Sequence, residues 1–273
     1  APLTLEGHYL LHQMFRLRHA EWRKLLEERR HALEQEACAL LERMANLTDG
    51  ASCAVAVLGQ KADLMLMHFR PSLEGLHEAQ QSVTRLGLSE VLKPAGSYVS
   101  VVELGLYEMT LKIYSELEGK GLQPDTPEFG TALAEEMARQ RERMKGRLTG
   151  AVPKRRYVCF YPMNKRRGEA KNWYAVPVEE RGRMMRDHGM IGRHYAGAVT
   201  QIISGSIGYD DCEWGVDLFA DDPLVFKKLI YEMRFDEASA WYAEFGAFYT
   251  GMQFSPVELP KFLDGQVPAL IGR

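Results

Sequence analysis

The sequence predicts an α+β fold of two ferredoxin-like βαββαβ modules in one chain, their antiparallel sheets paired as in a dimeric α+β barrel. Three observations predict it. Hydrophobic residues switch repeatedly between an alternation of about two and a helical period of about 3.6. The order of strands and helices in residues 1–104 recurs in residues 155–273, although the two stretches share no visible identity. A helical connection of different character, residues 105–154, separates them.

In the first half, HYLLHQMFRL (residues 8–17) reads as a strand. One long helix is expected over residues 19–47, with Trp22, Leu25, Leu26, Leu33, Ala37, Leu40, Leu41 and Met44 as its apolar face. SCAVAVLG (52–59) and ADLMLMHF (62–69) follow as strands, the second alternating as a half-buried strand does. Pro71 and Ser72 open a second helix through LEGLHEAQQSVTRLG, and SYVSVVEL (97–104) closes the module.

The second half begins with the strand RRYVCFYPM (155–163). Pro177, Glu179 and Glu180 start a helix, with His188 at its end and Gly189 as its stop. VTQIISGSIG (199–208) and EWGVDLFA (213–220) are strands joined at a turn with Gly208 and Asp210. Pro223 opens one helix over residues 224–242, and FGAFYTGMQF (245–254) is the last strand. In the connection, GKGLQPDTPEFG (119–130) is turn-rich and reads as a hinge or exposed loop before a helix over residues 131–148. That helix is acidic at its start and basic at its end, which the macrodipole favours whether or not the bases meet a ligand.

Composition narrows the function classes. Of 273 residues, 46% are hydrophobic and 26% charged, an ordinary globular balance. The net charge of -3 favours neither nucleic acid nor a membrane surface. Cys38, Cys53, Cys159 and Cys212 are scattered without a CxxC pair, which suits small buried hydrophobes in a reducing compartment. No window approaches twenty apolar residues and no signal-peptide pattern opens the chain, so a soluble cytoplasmic protein is expected. GxSxG, P-loop, GxGxxG, HExxH and CxxCH patterns are absent, and the last absence excludes covalent c-type haem.

Two segments concentrate reactive side chains. In CFYPMNKRRGEAKNWY (159–174), Tyr161 ends a strand before the restricting Pro162, and Met163, Lys165, Arg166, Arg167, Lys171 and Trp173 follow. Such a cluster either receives an anionic ligand beside redox-active aromatics or is a solvated loop with aromatic anchors. In RMMRDHGMIGRHYAGAVTQIISGSIG (183–208), His188 is suited to bind iron if a second partner fixes its other nitrogen. His194, in a glycine-flanked loop, is its rival, and a satisfied or surface imidazole is the alternative for either. The remaining histidines, His8, His12, His19, His31, His68 and His77, lie in strands or helices without a carboxylate–histidine cluster, which argues against zinc.

These segments carry a resemblance. YVCFYPMNKRR, NWY, MRDHGMIGRHYAGAVTQIISGSIGYDDCEWGVDLFADD and FKKLIYEMRFDEASAWYAEFGAFYTG, with GQKADLMLMHFRPSLEGLHE and SYVSVVEL, look like the coproheme decarboxylase (HemQ) family of the chlorite dismutase-like superfamily. The resemblance runs over nearly the whole chain and weakens in the connection and at the termini. It implies the paired ferredoxin-like fold, a homopentamer, and Fe-coproporphyrin III, substrate and redox cofactor at once, bound in the C-terminal half. His188 matches the axial iron ligand and Tyr161 the catalytic tyrosine. Lys165 matches a lysine near a reactive propionate, and Met163 and Ser239 match propionate contacts. Gln201 matches the distal residue, Arg147 a propionate-anchoring arginine by its distance before Tyr161, and Trp173 and Trp214 aromatics near the site.

The implied reaction is hydrogen peroxide-dependent decarboxylation of two propionates to vinyls through a tyrosyl radical, giving haem b, with a transient contact to ferrochelatase. Chlorite-degrading relatives carry a distal arginine where this chain has Gln201, and a neutral amide stabilises an anionic oxidant less well. Asn164 stands where an aspartate is frequent. A chlorite dismutase-like haem peroxidase and a non-catalytic haem carrier remain the alternatives.

Overall fold

The computed structural model describes residues 1–271. In the first half, β1 (Thr4–Leu17) leads into α1 (His19–Lys24) and α2 (Glu27–Ala45), then β2 (Ala51–Val57), β3 (Leu64–Arg70), α3 (Leu73–Thr84) and β4 (Leu92–Gly105). The connection holds α4 (Tyr107–Gly119) and α5 (Pro127–Leu148). The second half runs β5 (Tyr157–Lys165), α6 (Val178–His194), β6 (Val199–Gly205), β7 (Trp214–Ala220), α7 (Leu224–Met233), α8 (Glu237–Tyr242), β8 (Ala243–Phe245), β9 (Tyr249–Phe254) and α9 (Leu259–Leu263).

Every pairing between these strands is antiparallel. The order β4-β1-β3-β2 in the first half is repeated as β9-β5-β7-β6 in the second, the ferredoxin-like arrangement twice over. The halves join at both edges: β2 pairs β9 over Ala54–Val57, and β4 pairs β6 at Val101↔Gly205 and Val102↔Ser204. Eight strands thereby close a barrel, with β8 extending the β5 edge beyond β9. Period-two alternation gives the barrel an inner core and each module an outer face for its helices. Leu10, Met14, Val55, Met65, Met67, Phe69, Val158, Phe160 and Phe219 fill the inside.

Four departures from the sequence reading matter. The helix expected over residues 19–47 is broken at Leu25 and Leu26, both in extended backbone, which leaves Leu26 in solvent. The connection carries a further helix, α4, absent from the sequence reading; it packs Ile113 and Leu117 against Phe129, and α5 starts at Pro127 with Thr126 as its cap. Gly189 does not stop α6, which continues to His194, so His188 lies within the helix and His194 ends it. The helix expected over residues 224–242 breaks before Asp236, whose side chain caps α8 by accepting from the Ser239 amide. Among the described residues, no helix is long and apolar enough to cross a membrane.

Candidate functional site

Register assigns the outer face of the second module residue by residue. Opposed residues in an antiparallel ladder share a face. Cys159, Leu218 and Gln201 therefore form one row across β5, β7 and β6, while Tyr161, Val216 and Ile203 form the next. Met163 and Trp214 continue it. Gln201 and Tyr161 lie two strands and one row apart on this face, about 12 Å at ordinary strand geometry.

Tyr161 is 4% exposed. Its ring stacks on Phe248 with centroids 4.6 Å apart and tilts against Phe245 at 5.6 Å. The break between β8 and β9 brings both phenylalanines to it. Burial drives the phenol well above its usual pKa, Cys159 adds to this, and the nearby Arg234 opposes it. Tyr161 is therefore a protonated phenol at neutral pH, with no hydrogen bond to its hydroxyl among the described residues. Arg234 holds its guanidinium 4.0 Å from the centre of the Phe245 ring.

The helix α6 faces this sheet. Ile191 and Tyr195, three and seven residues beyond His188, pack into the cluster that holds Tyr161, so His188 lies on the same helical stripe. Nδ1 of His188 is 2.9 Å from Oδ2 of Asp236. Burial alone would raise the Asp236 carboxyl, but the hydrogen bond and charge of His188, with both Ser239 donors, hold it below its ordinary value. With Nδ1–H donating to the carboxylate, Nε2 keeps its lone pair for a ligand, the usual support of a metal-binding imidazole. The break between α7 and α8 creates this pair, because the same Asp236 caps α8.

Lys165 is buried and runs behind the pair. Its Nζ is 3.4 Å from the Ala238 carbonyl and 4.4 Å from the centre of the Trp173 ring. Burial lowers its pKa to about 8, against the pull of Asp236 and Glu213. Ser239 donates both its amide and its hydroxyl to Asp236. Arg147, at the exposed end of α5, lines a cleft of about 230 Å³ together with Gln201 and Ile203. The basic run is largely neutralised: Arg166 pairs with Glu244 at 3.2 Å and Arg167 with Glu213 at 3.6 Å. Asn164 accepts the Glu213 amide, a loop-shaping role.

The family profile described as chlorite dismutase matches residues 29–254. The chain belongs to the chlorite dismutase family. A protein of Thermus thermophilus, described as a novel heme-binding protein, superposes with a TM-score of 0.82 at 41% identity over 96% of this chain and 97% of its own. Two variants of the chlorite dismutase of Candidatus Nitrospira defluvii share the fold, with TM-scores of 0.70 and 0.71 at 20% and 19% identity. They cover 94% and 96% of this chain and 96% and 98% of their own.

Within this family fold, Tyr161, Met163 and Gln201 share one sheet face, the helix stripe that bears His188 packs against it through Ile191 and Tyr195, and Lys165 and Ser239 lie beside Asp236. Sequence reasoning missed Asp236, Arg234 and the pair Phe245 and Phe248. Asp236 carried a usable signal: in DEAS, an aspartate three residues before a serine is an N-cap pattern within a stretch whose periodicity reads as continuous helix.

Proposed function

We propose that the chain is a coproheme decarboxylase. It binds Fe-coproporphyrin III through Nε2 of His188 and, with hydrogen peroxide, converts two propionates to vinyls, giving haem b. The observation that carries this reading is the 2.9 Å His188–Asp236 pair on the helix stripe facing Tyr161. The 41% identity to a heme-binding protein of Thermus thermophilus adds support. The residues fit such a group: a histidine with one nitrogen fixed and the other free, an apolar sheet face for a macrocycle, and Arg147 and Arg234 for carboxylates.

Held by His188, coproheme would supply the peroxide-driven oxidising chemistry. The chain does the rest. His188, oriented by Asp236, fixes where the macrocycle lies. Tyr161, dry and protonated, gives up an electron and its hydroxyl proton, then takes a hydrogen atom from the propionate carbon next to the ring. Loss of carbon dioxide, with the remaining electron passing to the second oxidising equivalent of the same peroxide, would leave a vinyl group. Each propionate thus consumes one peroxide and one proton and releases one carbon dioxide and two waters. Packing by Phe245 and Phe248 excludes water from the phenol and limits side reactions of its radical. Arg234 and Arg147 hold carboxylates, and the neutral amide of Gln201 disfavours chlorite degradation.

Ferric coproheme and apoprotein, mixed with excess peroxide and followed by mass spectrometry, should show two successive losses, each of one carbon dioxide and two hydrogens. Unchanged coproheme with rapid chlorite consumption would establish the chlorite dismutase-like alternative, and binding without either reaction would leave a haem carrier. The same reading includes a cytoplasmic homopentamer that contacts ferrochelatase transiently.

A further inference from the structure

Inside the barrel, on the opposite side of the sheet from Tyr161, lies a polar strip that the proposed chemistry does not use. His12 of β1 and Asp217 of β7 are both 0% exposed, and Nε2 of His12 is 2.9 Å from Oδ1 of Asp217. The imidazole stacks on Phe160 at 3.9 Å, and register sets Asp217 beside both Phe160 and Ile202. Ser100 of β4, also 0% exposed, lies diagonally across from His12, because Tyr98 opposes His12 and Leu10 opposes Ser100. Three atoms of this strip, Nδ1 of His12, Oδ2 of Asp217 and Oγ of Ser100, have no hydrogen-bond partner among the described residues. Ser204 and Ser206 nearby are satisfied by the carbonyls of Gly215 and Cys212. Three unmet polar atoms in a dry barrel would take a large share of a domain's net stability.

The barrel also has a thin wall beside this strip. β4 and β6 are joined by two residue pairs, against four between β2 and β9 and seven between β6 and β7. Over this seam lies the cleft that holds Arg147 and Gln201 at its outer side and reaches Phe69, Val102 and Ile202 at its inner side. Ile202 opposes Asp217, and Val102 is two residues from Ser100, so the cleft ends one side chain from the strip.

We propose that the barrel interior is a water-binding site, filled through the β4–β6 seam from the Arg147–Gln201 cleft. Water there donates to Oδ2 of Asp217 and Nδ1 of His12 and exchanges hydrogen bonds with the Ser100 hydroxyl. This set provides the two to four polar partners that a buried water needs. Through the seam, the His12–Asp217 pair exchanges protons with solvent at the Gln201 face. The strip does not depend on what occupies the His188 face, and in apoprotein the cleft at the seam is open.

In apoprotein carrying ¹⁵N-labelled histidine, the His12 ring N–H should exchange in D₂O within minutes, while the amides of Met14 and Leu218 remain protected for hours. A ring proton as slow as those amides would overturn the site. Ser100→Ala gives a second reading. With water present its melting temperature should be unchanged or lower, whereas a rise of several degrees would mean a dry, unsatisfied hydroxyl and would also overturn it. Ile202→Trp and Val102→Phe narrow the seam from its two walls, and each folded variant should slow His12 exchange at least tenfold. An unchanged rate would remove the seam as the route.

Discussion

Under α2 and α3, the first module turns Phe15, Leu17, Leu64 and Leu66 outward into a sealed apolar layer with Leu33, Leu41 and Val83. On the same outer face His68 uses both nitrogens, Nδ1 with Ser52 at 2.7 Å and Nε2 with Gln13 at 3.0 Å. Burial, helped by Arg70, lowers its pKa to about 3, so the ring is neutral and fully spent on structure. The equivalent face of the second module has the same strand order but carries Tyr161, whose hydroxyl has no partner among the described residues, and His188 with one nitrogen committed. Duplicated topology therefore yields one outer face whose histidine is closed on its neighbours and one whose histidine has a hydrogen bond at only one ring nitrogen.

The largest expected effect tests the open face. Tyr161→Phe keeps the ring that packs on Phe248 and removes the removable hydrogen. Coproheme should bind with little change, while haem b formation falls more than about a thousandfold, roughly 4 kcal/mol of barrier. Product masses at wild-type rate would remove Tyr161 from the reaction.

The two histidines then separate the modules. His188→Ala should lose the axial-ligand haem spectrum while apoprotein melting changes little. His68→Ala should keep that spectrum and lose roughly 2–4 kcal/mol of stability, because Gln13 and Ser52 are left unsatisfied. The reverse pattern, read by absorbance titration and urea unfolding, would dissolve the contrast. Asp236→Asn is subtler. Asparagine still caps α8, so folding should hold, but its weaker hold on Nδ1 should cost about 10–100-fold in haem affinity. An unchanged titration would deny Asp236 its orienting part.

The contrast also marks what could be seen in the sequence. Strand order and both modules follow from apolar runs set between turn signals, but the strand at residues 64–70, expected to be half-buried, is buried on both faces, between the barrel core and the helices of the first module. The histidine and tyrosine were legible as candidates, since they stand in motif-dense segments. Helix breaks were not. Leu25 is a good helix former that leaves the helix where its side chain packs on the first module's core, and Gly189 is tolerated inside α6 because a single glycine costs only about 1 kcal/mol. Asp236 and Arg234 meet His188 and Tyr161 only through tertiary structure, across the break between α7 and α8. The orphaned atoms of His12, Asp217 and Ser100 likewise arise from barrel closure, which no local pattern encodes.

The smallest effect concerns Lys165, a buried cation of the second module, as Arg70 is of the first. Its pKa falls from 10.5 to about 8 on folding, with burial as the leading cause. Between those values the unfolded chain binds more protons than the folded one, so apoprotein stability rises with pH across that window and is flat below it. Lys165→Met keeps the stem against Trp173 and removes the charge. At pH 7 it should stabilise the apoprotein by about 1–3 kcal/mol, less whatever the ring contact contributed. The gain should shrink toward pH 10 as the wild-type amine becomes neutral in both states. Urea unfolding of the two proteins at pH 7, 8.5 and 10 reads this difference directly. A gain that does not depend on pH would mean that Lys165 keeps its ordinary pKa, with its ammonium solvated rather than buried beside Asp236.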